Sequence, residues 1–266
     1  RLRLAAHGKT EGVTPRVVCL DVDGTLTDGV RGPLLPGAVD AVRRLRARFL
    51  VRLVTNTTSV PHATLAASLI AQDLLDDPAN LWTPVLVARS ELPARGHDRG
   101  ILIADPGQRE EYTWFREDPE GPAVLIATEA HDWTIAALQP AFRRLLDGAA
   151  FYALTQNRYF RKDGRLVTDV GGVAALLAYT AGLRAETLGK PSRLLFEAVA
   201  RAAGVGMGDL TMVGDDAEFD VAAPMRLGLA GVLVKTGKYR AGDESSVEPR
   251  PTLMLGSIAE LPERVG

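Results

Sequence analysis

Two carboxylates directly after a buried strand constrain this sequence more than any other feature. The apolar run V-V-C-L at 17–20 has the length and β-branched content of a strand buried in a parallel sheet. Asp21, Asp23, Gly24 and Thr25 follow it, so that the segment reads D-x-D-G-T. Open α/β sheets hold their ligands at the carboxyl ends of their strands, which is where these carboxylates lie. The alternative is an ordinary strand end followed by a turn, and the downstream segments decide between the two.

Composition limits the classes of protein that need to be considered. The 266 residues suffice for one large α/β domain, or for a core with a smaller inserted domain. A net charge of −2 gives no electrostatic reason to expect binding to nucleic acid or to an anionic membrane. One cysteine excludes a disulfide within the chain, and no apolar run approaches the ~20 residues of a membrane span. We therefore expect a cytoplasmic protein without nucleic-acid or membrane partners.

The order of apolar runs predicts a parallel sheet interrupted by a second α/β unit. An amphipathic helix at 38–49 and a buried run at 50–54 complete a β-α-β unit with the first strand. The interrupting unit is predicted from strand-like runs and a polar hairpin, at 101–104, 123–127, 150–154 and 157–168. The fold class predicted is thus a Rossmann-like α/β core with a parallel sheet and an inserted smaller α/β cap. We predict residues 1–77 and 185–266 for the core and residues 78–184 for the cap.

Polar side chains follow four predicted strand ends. They are Asp21 and Asp23, Thr55 and Asn56, Lys190, and the group Asp215, Asp216 and Asp220. Taken alone, Thr55 is an ordinary strand-end cap, Lys190 is an ordinary surface lysine, and Asp215-Asp216 is an ordinary helix N-cap. Strands of one parallel sheet can bring all of these groups to one edge. Carboxylates with a divalent cation, a hydroxyl, an amide and a lysine suit phosphoryl transfer, because the site must cancel the charge of the phosphate.

The D-x-D-G-T segment resembles the signature of the haloacid dehalogenase-like (HAD) superfamily, whose members are mostly phosphohydrolases. The resemblance implies that Asp21 is the nucleophile and that Asp23 is the general acid and base. Thr55 matches the phosphate-binding Ser/Thr of the family. Lys190, in Gly-Lys-Pro, matches the family lysine that binds phosphate and steadies the nucleophile. Gly24 and Asn56 are expected to bind substrate beside them.

The resemblance also implies a metal site. Asp215 and Asp220 match the acidic motif G-D-x-x-x-x-D, which makes Asp215 a direct ligand of Mg²⁺. The remaining protein ligands are then the carboxylate of Asp21 and the backbone carbonyl of Asp23. Asp216 or Asp220 is expected in the second layer, where it orients water and Lys190.

The position of the insertion resembles subclass IIA of the superfamily, the NagD-like branch, in which an α/β cap covers the site. The segments T-N-T-T at 55–58, G-K-P at 189–191 and K-T-G-K-Y-R at 235–240 resemble one part of this branch. That part holds the phospholysine phosphohistidine inorganic pyrophosphate phosphatases and their hydrolase-domain-containing relatives. Many NagD-like caps read T-N-x-D where this chain reads T-Q-N-R at 155–158, so the acidic cap residue is missing.

The cap hairpin is basic in this chain. We expect Asn157, Arg158 and Lys162 to contact substrate, and a second phosphate or carboxylate on the substrate would suit them. The alternative is a solvated hairpin whose charges contact only water.

The sequence therefore predicts a Mg²⁺-dependent phosphatase that hydrolyses small phosphorylated compounds, including pyrophosphate or phosphoramidates, through an aspartyl-phosphate. Resemblance to NagD-like proteins and the apolar run at 151–154 predict a homodimer joined through the caps. One alternative is a phosphotransferase of the phosphomutase type, in which a bound hydroxyl intercepts the aspartyl-phosphate. The other is an idle scaffold that acts by protein binding, which is disfavoured because every catalytic position is present. A dehalogenase is disfavoured because Asp23 and the complete acidic motif suit metal-assisted phosphate chemistry.

Overall fold

The computed structural model describes residues 16–30, 32–128, 134–162 and 165–265. Two sequence predictions fall outside the described residues, namely an irregular polar segment at 1–15 and the turn of the hairpin at 163–164. The strands are β1 Val17–Leu20, β2 Leu50–Val54, β3 Leu81–Trp82, β4 Arg99–Ile103, β5 Arg116–Glu117, β6 Ala123–Ile126, β7 Ala150–Ala153, β8 Tyr159–Lys162, β9 Arg165–Thr168, β10 Glu186–Thr187, β11 Leu210–Gly214, β12 Ala230–Val234 and β13 Leu253–Leu255.

The α-helices are α1 Ala38–Arg46, α2 His62–Ala71, α3 Pro84–Ala94, α4 Ile135–Leu146, α5 Val170–Ala181, α6 Arg193–Ala203, α7 Ala223–Arg226, α8 Asp243–Ser246 and α9 Leu261–Arg264. Short 3₁₀ segments lie at Pro78–Asn80, Pro106–Tyr112, Met207–Asp209 and Ile258–Glu260, and a π-helical segment lies at Ala217–Ala222. The prediction of an α/β protein with parallel sheets is confirmed.

The chain divides into two compact units, residues 1–52 with 200–266 and residues 53–199. The division falls inside β2 in the first part of the chain. The predicted limits of core and cap differ from these units, and they stay a prediction.

The first unit is built on a parallel sheet. Its strands run in the order β13-β12-β11-β1, and the beginning of β2 lies next to β1. Val17 of β1 pairs with Leu210 of β11, and the register continues to Leu20 and Val213. All four residues of β1 are buried, as the apolar run predicts. Ala38, Ala41, Val42 and Leu45 form the buried stripe of α1, which is the face expected from the helical spacing.

The second unit contains a five-stranded parallel sheet in the order β10-β7-β6-β4-β5. The last two residues of β2 pair in parallel with β3, and β8 with β9 forms an antiparallel hairpin. Helices α4 and α5 pack over one core of this unit, against Val124, Ile126 and Phe151. These strands lie within two residues of the predicted runs wherever a run was predicted.

One strand assignment was wrong, and it concerns Lys190. The segment that leads to this lysine was predicted to resume the first sheet. Instead, β10 pairs with β7, with Glu186 opposite Tyr152, and Gly189 N–H donates to the carbonyl of Leu154 at 2.8 Å. A strand of two residues has no apolar run of its own, so its sequence carries no information about which sheet it joins.

Candidate active site

The first unit holds a buried acidic cluster, which consists of Asp21, Asp215 and Asp220. Asp21 directly follows β1, and its N–H extends the ladder by donating to the carbonyl of Val213 at 2.9 Å. Asp215 directly follows β11, and Asp220 lies on the π-helical segment. One carboxylate oxygen from each residue lies within 4.8 Å of the other two. The three residues are 5%, 1% and 2% exposed, so the acidic cluster is withdrawn from water.

This geometry suits a divalent cation. Carboxylates that are buried near one another repel, and buried charges in proteins are generally paired or bound to a metal. Three carboxylates supply the oxygen ligands that hard divalent cations prefer. The acidic cluster therefore fits a divalent metal ion, and the residues from the ends of β1 and β11 that were predicted to supply carboxylate ligands lie within it.

The two remaining aspartates of the acidic motif have different surroundings. Asp216 caps the π-helical segment, since its Oδ1 accepts hydrogen bonds from Glu218 N–H at 3.2 Å and Phe219 N–H at 3.0 Å. Asp220 accepts from Asp216 N–H at 3.2 Å through Oδ2 and belongs to the acidic cluster. Of the two candidates for the second layer, Asp220 is thus the one whose carboxylate lies beside Asp21.

A loop at 236–238 encloses the carboxylate of Asp215, and sequence reasoning missed its role. Lys238 N–H donates to Asp215 Oδ2 at 2.6 Å, and Thr236 Oγ1 donates to the carbonyl of Gly24 at 2.6 Å. A Cβ added at Gly24 would lie 2.2 Å from Asp215 Oδ2, and one at Gly237 would lie 2.1 Å from it. Both glycines have positive φ, 92° and 54°. The sequence signal for this loop is the segment K-T-G-K-Y-R at 235–240, whose resemblance to the family assigns no role to a particular residue.

Gly237→Ala is expected to weaken metal binding by roughly 10- to 100-fold, the usual cost of losing an outer partner of a metal ligand. The new methyl group cannot fit beside Asp215 unless the carboxylate or the loop moves. The matched control is Gly204→Ala, because Gly204 has a similar φ of 66° and its added Cβ meets nothing within 4 Å. Calorimetric titration with Mg²⁺ measures both. Equal affinities for the two variants would show that the contact with Asp215 does not matter.

Lys238 brings a positive charge to the acidic cluster. Its Nζ lies 3.7 Å from Asp216 Oδ2, and its side chain is 66% exposed. Burial of part of the side chain acts to lower the pKa of Lys238, but the carboxylates of the four aspartates at 220, 21, 216 and 215 outweigh it and raise the pKa above its ordinary value. Lys238 therefore stays protonated at neutral pH and offsets part of the negative charge.

Asp23 lies in the turn after β1 and does not belong to the acidic cluster. Its backbone forms an isolated bridge with Thr27, and Gly24 N–H donates to the carbonyl of Thr27 at 2.7 Å. Leu26 N–H donates to the carbonyl of Val22 at 2.9 Å, so the turn is fixed by backbone hydrogen bonds. Asp23 is partly exposed, whereas the three residues of the acidic cluster are buried.

Thr55, Asn56 and Lys190 lie in the second unit. Thr55 N–H extends the β2–β3 ladder by donating to the carbonyl of Trp82 at 3.1 Å, and its Oγ1 accepts from Thr57 N–H at 3.1 Å. Asn56 Oδ1 accepts from Lys190 N–H at 2.7 Å, and Asn56 Nδ2 donates to the carbonyl of Lys190 at 2.9 Å. Lys190 is only 3% exposed, so the expectation of an ordinary surface lysine is excluded.

The predicted substrate-binding residues of the hairpin are only partly described. Asn157 Oδ1 lies 3.5 Å from Asn56 Nδ2. The backbone carbonyl of Asn157 accepts a hydrogen bond from Gly171 N–H at 3.0 Å. Arg158 is exposed, and its carbonyl accepts from Asp169 N–H at 3.2 Å. The side chain of Lys162 lies outside the described residues.

Comparison with known proteins identifies the family. A haloacid dehalogenase-like hydrolase model matches residues 18–113, and a HAD-hydrolase-like model matches residues 187–261. The chain is 34% identical over 247 residues to haloacid dehalogenase-like hydrolase domain-containing protein 2 of Homo sapiens, covering 91% of this chain and 93% of the relative. It is 32% identical over 251 residues to the phospholysine phosphohistidine inorganic pyrophosphate phosphatase of Bos taurus, covering 92% of each. The structure of NagD from E. coli K-12 superposes with a TM-score of 0.82 at 21% identity, covering 93% of this chain and 98% of NagD.

The chain belongs to the haloacid dehalogenase-like hydrolase family. The resemblance drawn from D-x-D-G-T and the downstream motifs is confirmed, as is the prediction of a phosphohydrolase. Within the described part of the chain, no helix combines the length and the apolar character needed to cross a membrane.

Mg²⁺ is expected to raise the thermal stability of the protein. A ligand that binds only the folded state adds about 2.7 kcal/mol at one hundred times its dissociation constant, which is roughly 5–10 °C for a chain of this size. Differential scanning fluorimetry with Mg²⁺ and with chelator measures the shift. Asp215→Asn should remove most of it, whereas Asp40→Asn, on the exposed face of α1, should keep it. An unchanged shift in Asp215→Asn would place the metal elsewhere.

Proposed function

We propose that this protein is a Mg²⁺-dependent phosphatase that hydrolyses small phosphorylated compounds through an aspartyl-phosphate. The observation that carries the proposal is the acidic cluster, because it places the predicted nucleophile, Asp21, beside two further buried carboxylates. Family membership supports the reaction class, and the names of two relatives, a HAD-like hydrolase and a phosphatase, agree with it.

Each site residue has a proposed role. The Asp21 carboxylate attacks phosphorus, and the bond between phosphorus and the leaving oxygen breaks as Asp23 donates a proton to that oxygen. Water then attacks the phosphorus of the aspartyl-phosphate while Asp23 takes its proton. The bond between phosphorus and the Asp21 oxygen breaks, which releases inorganic phosphate and restores the Asp21 carboxylate. Thr55 and Lys190 donate hydrogen bonds to the phosphate oxygens, the latter as a point charge.

The metal site is proposed to consist of the Asp21 and Asp215 carboxylates and the backbone carbonyl of Asp23. Asp220 lies close enough to these carboxylates to orient them or to bind the ion itself. When bound, Mg²⁺ offsets the negative charge shared by the nucleophile and the phosphate, and it keeps them aligned.

Phosphate release tests the proposed function. The substrates are phosphorylated metabolites, 4-nitrophenyl phosphate, pyrophosphate and phosphoramidates such as phospholysine and phosphohistidine. The last two groups are included because the name of a 32% identical relative contains them. We expect release with Mg²⁺ and none after exhaustive chelation. Full activity after chelation would refute the metal requirement, and transfer of phosphate to an added alcohol instead of water would identify a phosphotransferase.

The proposed homodimer now rests on family resemblance alone. The apolar run at 151–154, which was to join the caps, is buried inside the second unit, with β7 lying between β6 and β10. Light scattering at micromolar concentration tests the proposal, and a particle of 28.5 kDa would refute it. A cytoplasmic location stays a prediction.

A further inference from the structure

We infer that Asn56 is a positioning residue for Lys190, in place of the direct substrate contact expected from the sequence. The inference rests on the proposed function, because it concerns the lysine that is proposed to bind phosphate. Its basis is a pair of hydrogen bonds between the side chain of Asn56 and the backbone of Lys190. The side-chain amide of Asn56 binds both backbone groups of Lys190, accepting from its N–H at 2.7 Å and donating to its carbonyl at 2.9 Å.

The side-chain amide of Asn56 already has hydrogen-bond partners within the second unit. A primary amide offers two N–H donors and one oxygen acceptor. The oxygen binds Lys190 N–H, one donor binds the Lys190 carbonyl, and Nδ2 also lies 3.5 Å from Asn157 Oδ1. A phosphate oxygen needs a donor, so it would have to compete with Lys190 or Asn157 for the amide. The geometry therefore favours a role that acts through Lys190.

Close packing around Gly189 fixes the backbone directly before Lys190. A Cβ added at Gly189 would lie 2.5 Å from Asn56 Oδ1, 2.7 Å from Pro84 Cγ and 2.8 Å from the carbonyl of Leu154. Gly189 N–H also donates to that Leu154 carbonyl. The backbone before Lys190 is thus held by Leu154, directly after β7, and Lys190 itself is held by Asn56.

The consequence for catalysis follows from the burial of Lys190. Its side chain is enclosed, so the direction of the ammonium group depends on the backbone from which it extends. Without the amide of Asn56, the N–H and the carbonyl of Lys190 lose these two hydrogen bonds, and the residue can shift. A misplacement of about 1 Å at a catalytic group costs on the order of 10²-fold in rate.

A double-mutant cycle tests this coupling. The full-length protein is compared as wild type, Asn56→Ala, Lys190→Ala and the double variant, with Mg²⁺ and 4-nitrophenyl phosphate. Binding of inorganic phosphate by calorimetry is the second measurement. We expect Asn56→Ala to lower kcat by roughly 10- to 100-fold in the wild-type background. In the Lys190→Ala background, the same substitution should change kcat and phosphate affinity by less than about twofold.

The matched control is Asn80→Ala. Asn80 has similar exposure, lies in the same unit and donates its Nδ2 to Asp76 at 2.9 Å, away from Lys190. It should leave kcat within about twofold of wild type. If Asn56→Ala does not fold, Asn56→Asp replaces it in the cycle, because it keeps the oxygen that accepts from Lys190 N–H.

Two results would overturn the inference. One is a wild-type kcat in Asn56→Ala. The other is an equal loss of kcat and phosphate affinity in both backgrounds, which would show that Asn56 contacts the substrate independently of Lys190. Failure of the proposed function is a different result, because the wild-type protein would then release no phosphate from any substrate in the screen.

Discussion

Asp21→Asn is expected to abolish turnover of every phosphorylated substrate. The amide is nearly the same size as the carboxylate, but it cannot attack phosphorus, and it supplies a neutral oxygen where the acidic cluster now has a charged one. A steady-state assay of phosphate release measures the effect. Mass spectrometry after rapid acid quenching should detect a phosphorylated enzyme in the wild type and none in the variant.

Asp40→Asn is the control for this substitution. Asp40 lies in the same unit on α1, its side chain is 66% exposed, and its contact with Arg44 is 4.0 Å long. An exposed ion pair of this kind contributes little to stability, so the control should keep full activity. Turnover by Asp21→Asn above that of a protein-free blank would assign the nucleophile to another residue.

The stability of Asp21→Asn should change in the opposite direction to its activity. Without metal, three buried carboxylates repel one another, and removing one charge relieves that repulsion. The midpoint of thermal unfolding in chelator should therefore rise, while the increase caused by Mg²⁺ should shrink. Functional sites commonly show this trade-off, in which a substitution that removes activity raises stability. A lower midpoint in chelator would show that hydrogen bonds to Asp21 outweigh the repulsion.

The acidic cluster could be predicted from the sequence because the buried strands before it have a recognisable apolar pattern. The runs before Asp21 and Asp215 are apolar and rich in β-branched residues, and parallel strands align their carboxyl ends. β1 and β11 pair directly in the structure, so the two aspartates are neighbours. Here the local pattern and the sheet topology carry the same information.

The surroundings of Lys190 could not be predicted in the same way. β10 has two residues, and its partner strand is 34 positions earlier, so no local pattern indicates the pairing. Nor does any periodicity reveal that Asn56 reaches across to the backbone of Lys190. The contact depends on loops brought together by two different strands of the second unit, and such contacts appear only in three dimensions.

Helix α3 and strand β13 were missed for local reasons. Helix α3 begins with Pro84 at its first position and contains Pro93, so its sequence lacks a clear helical stripe. Thr83 nevertheless caps it by accepting from Leu86 N–H at 3.3 Å. β13 has three residues and follows a segment rich in proline and charge, which concealed it.

Asp23→Asn is expected to slow substrates with poor leaving groups by roughly 10²–10⁴-fold, the usual size of general acid–base assistance. Asp21 and Asp23 are two residues apart after β1, which is the spacing that puts side chains of a strand on the same side. Asp21 belongs to the buried acidic cluster, whereas the partly exposed Asp23 does not. This difference in environment suits a charged nucleophile next to a group that exchanges protons.

The leaving group provides the discriminating measurement. An alkyl phosphate releases a strongly basic alkoxide and needs the proton from Asp23 as its bond to phosphorus breaks. An aryl phosphate such as 4-nitrophenyl phosphate releases a stable phenolate, so its first step should be slowed far less. The second step, attack of water on the aspartyl-phosphate, still lacks its base. Stopped-flow recording should therefore show a burst of nitrophenolate followed by slow turnover.

The comparison between substrates separates this role from simple damage to the site. If Asp23→Asn only displaced Asp21 or the metal, the first step would slow equally for alkyl and aryl phosphates. Binding of Mg²⁺ should be retained, since the proposed ligand at this position is the backbone carbonyl, which the substitution keeps. Equal and complete loss of the first step with both classes of substrate, in a folded variant that still binds Mg²⁺, would contradict the assignment of Asp23 as the general acid.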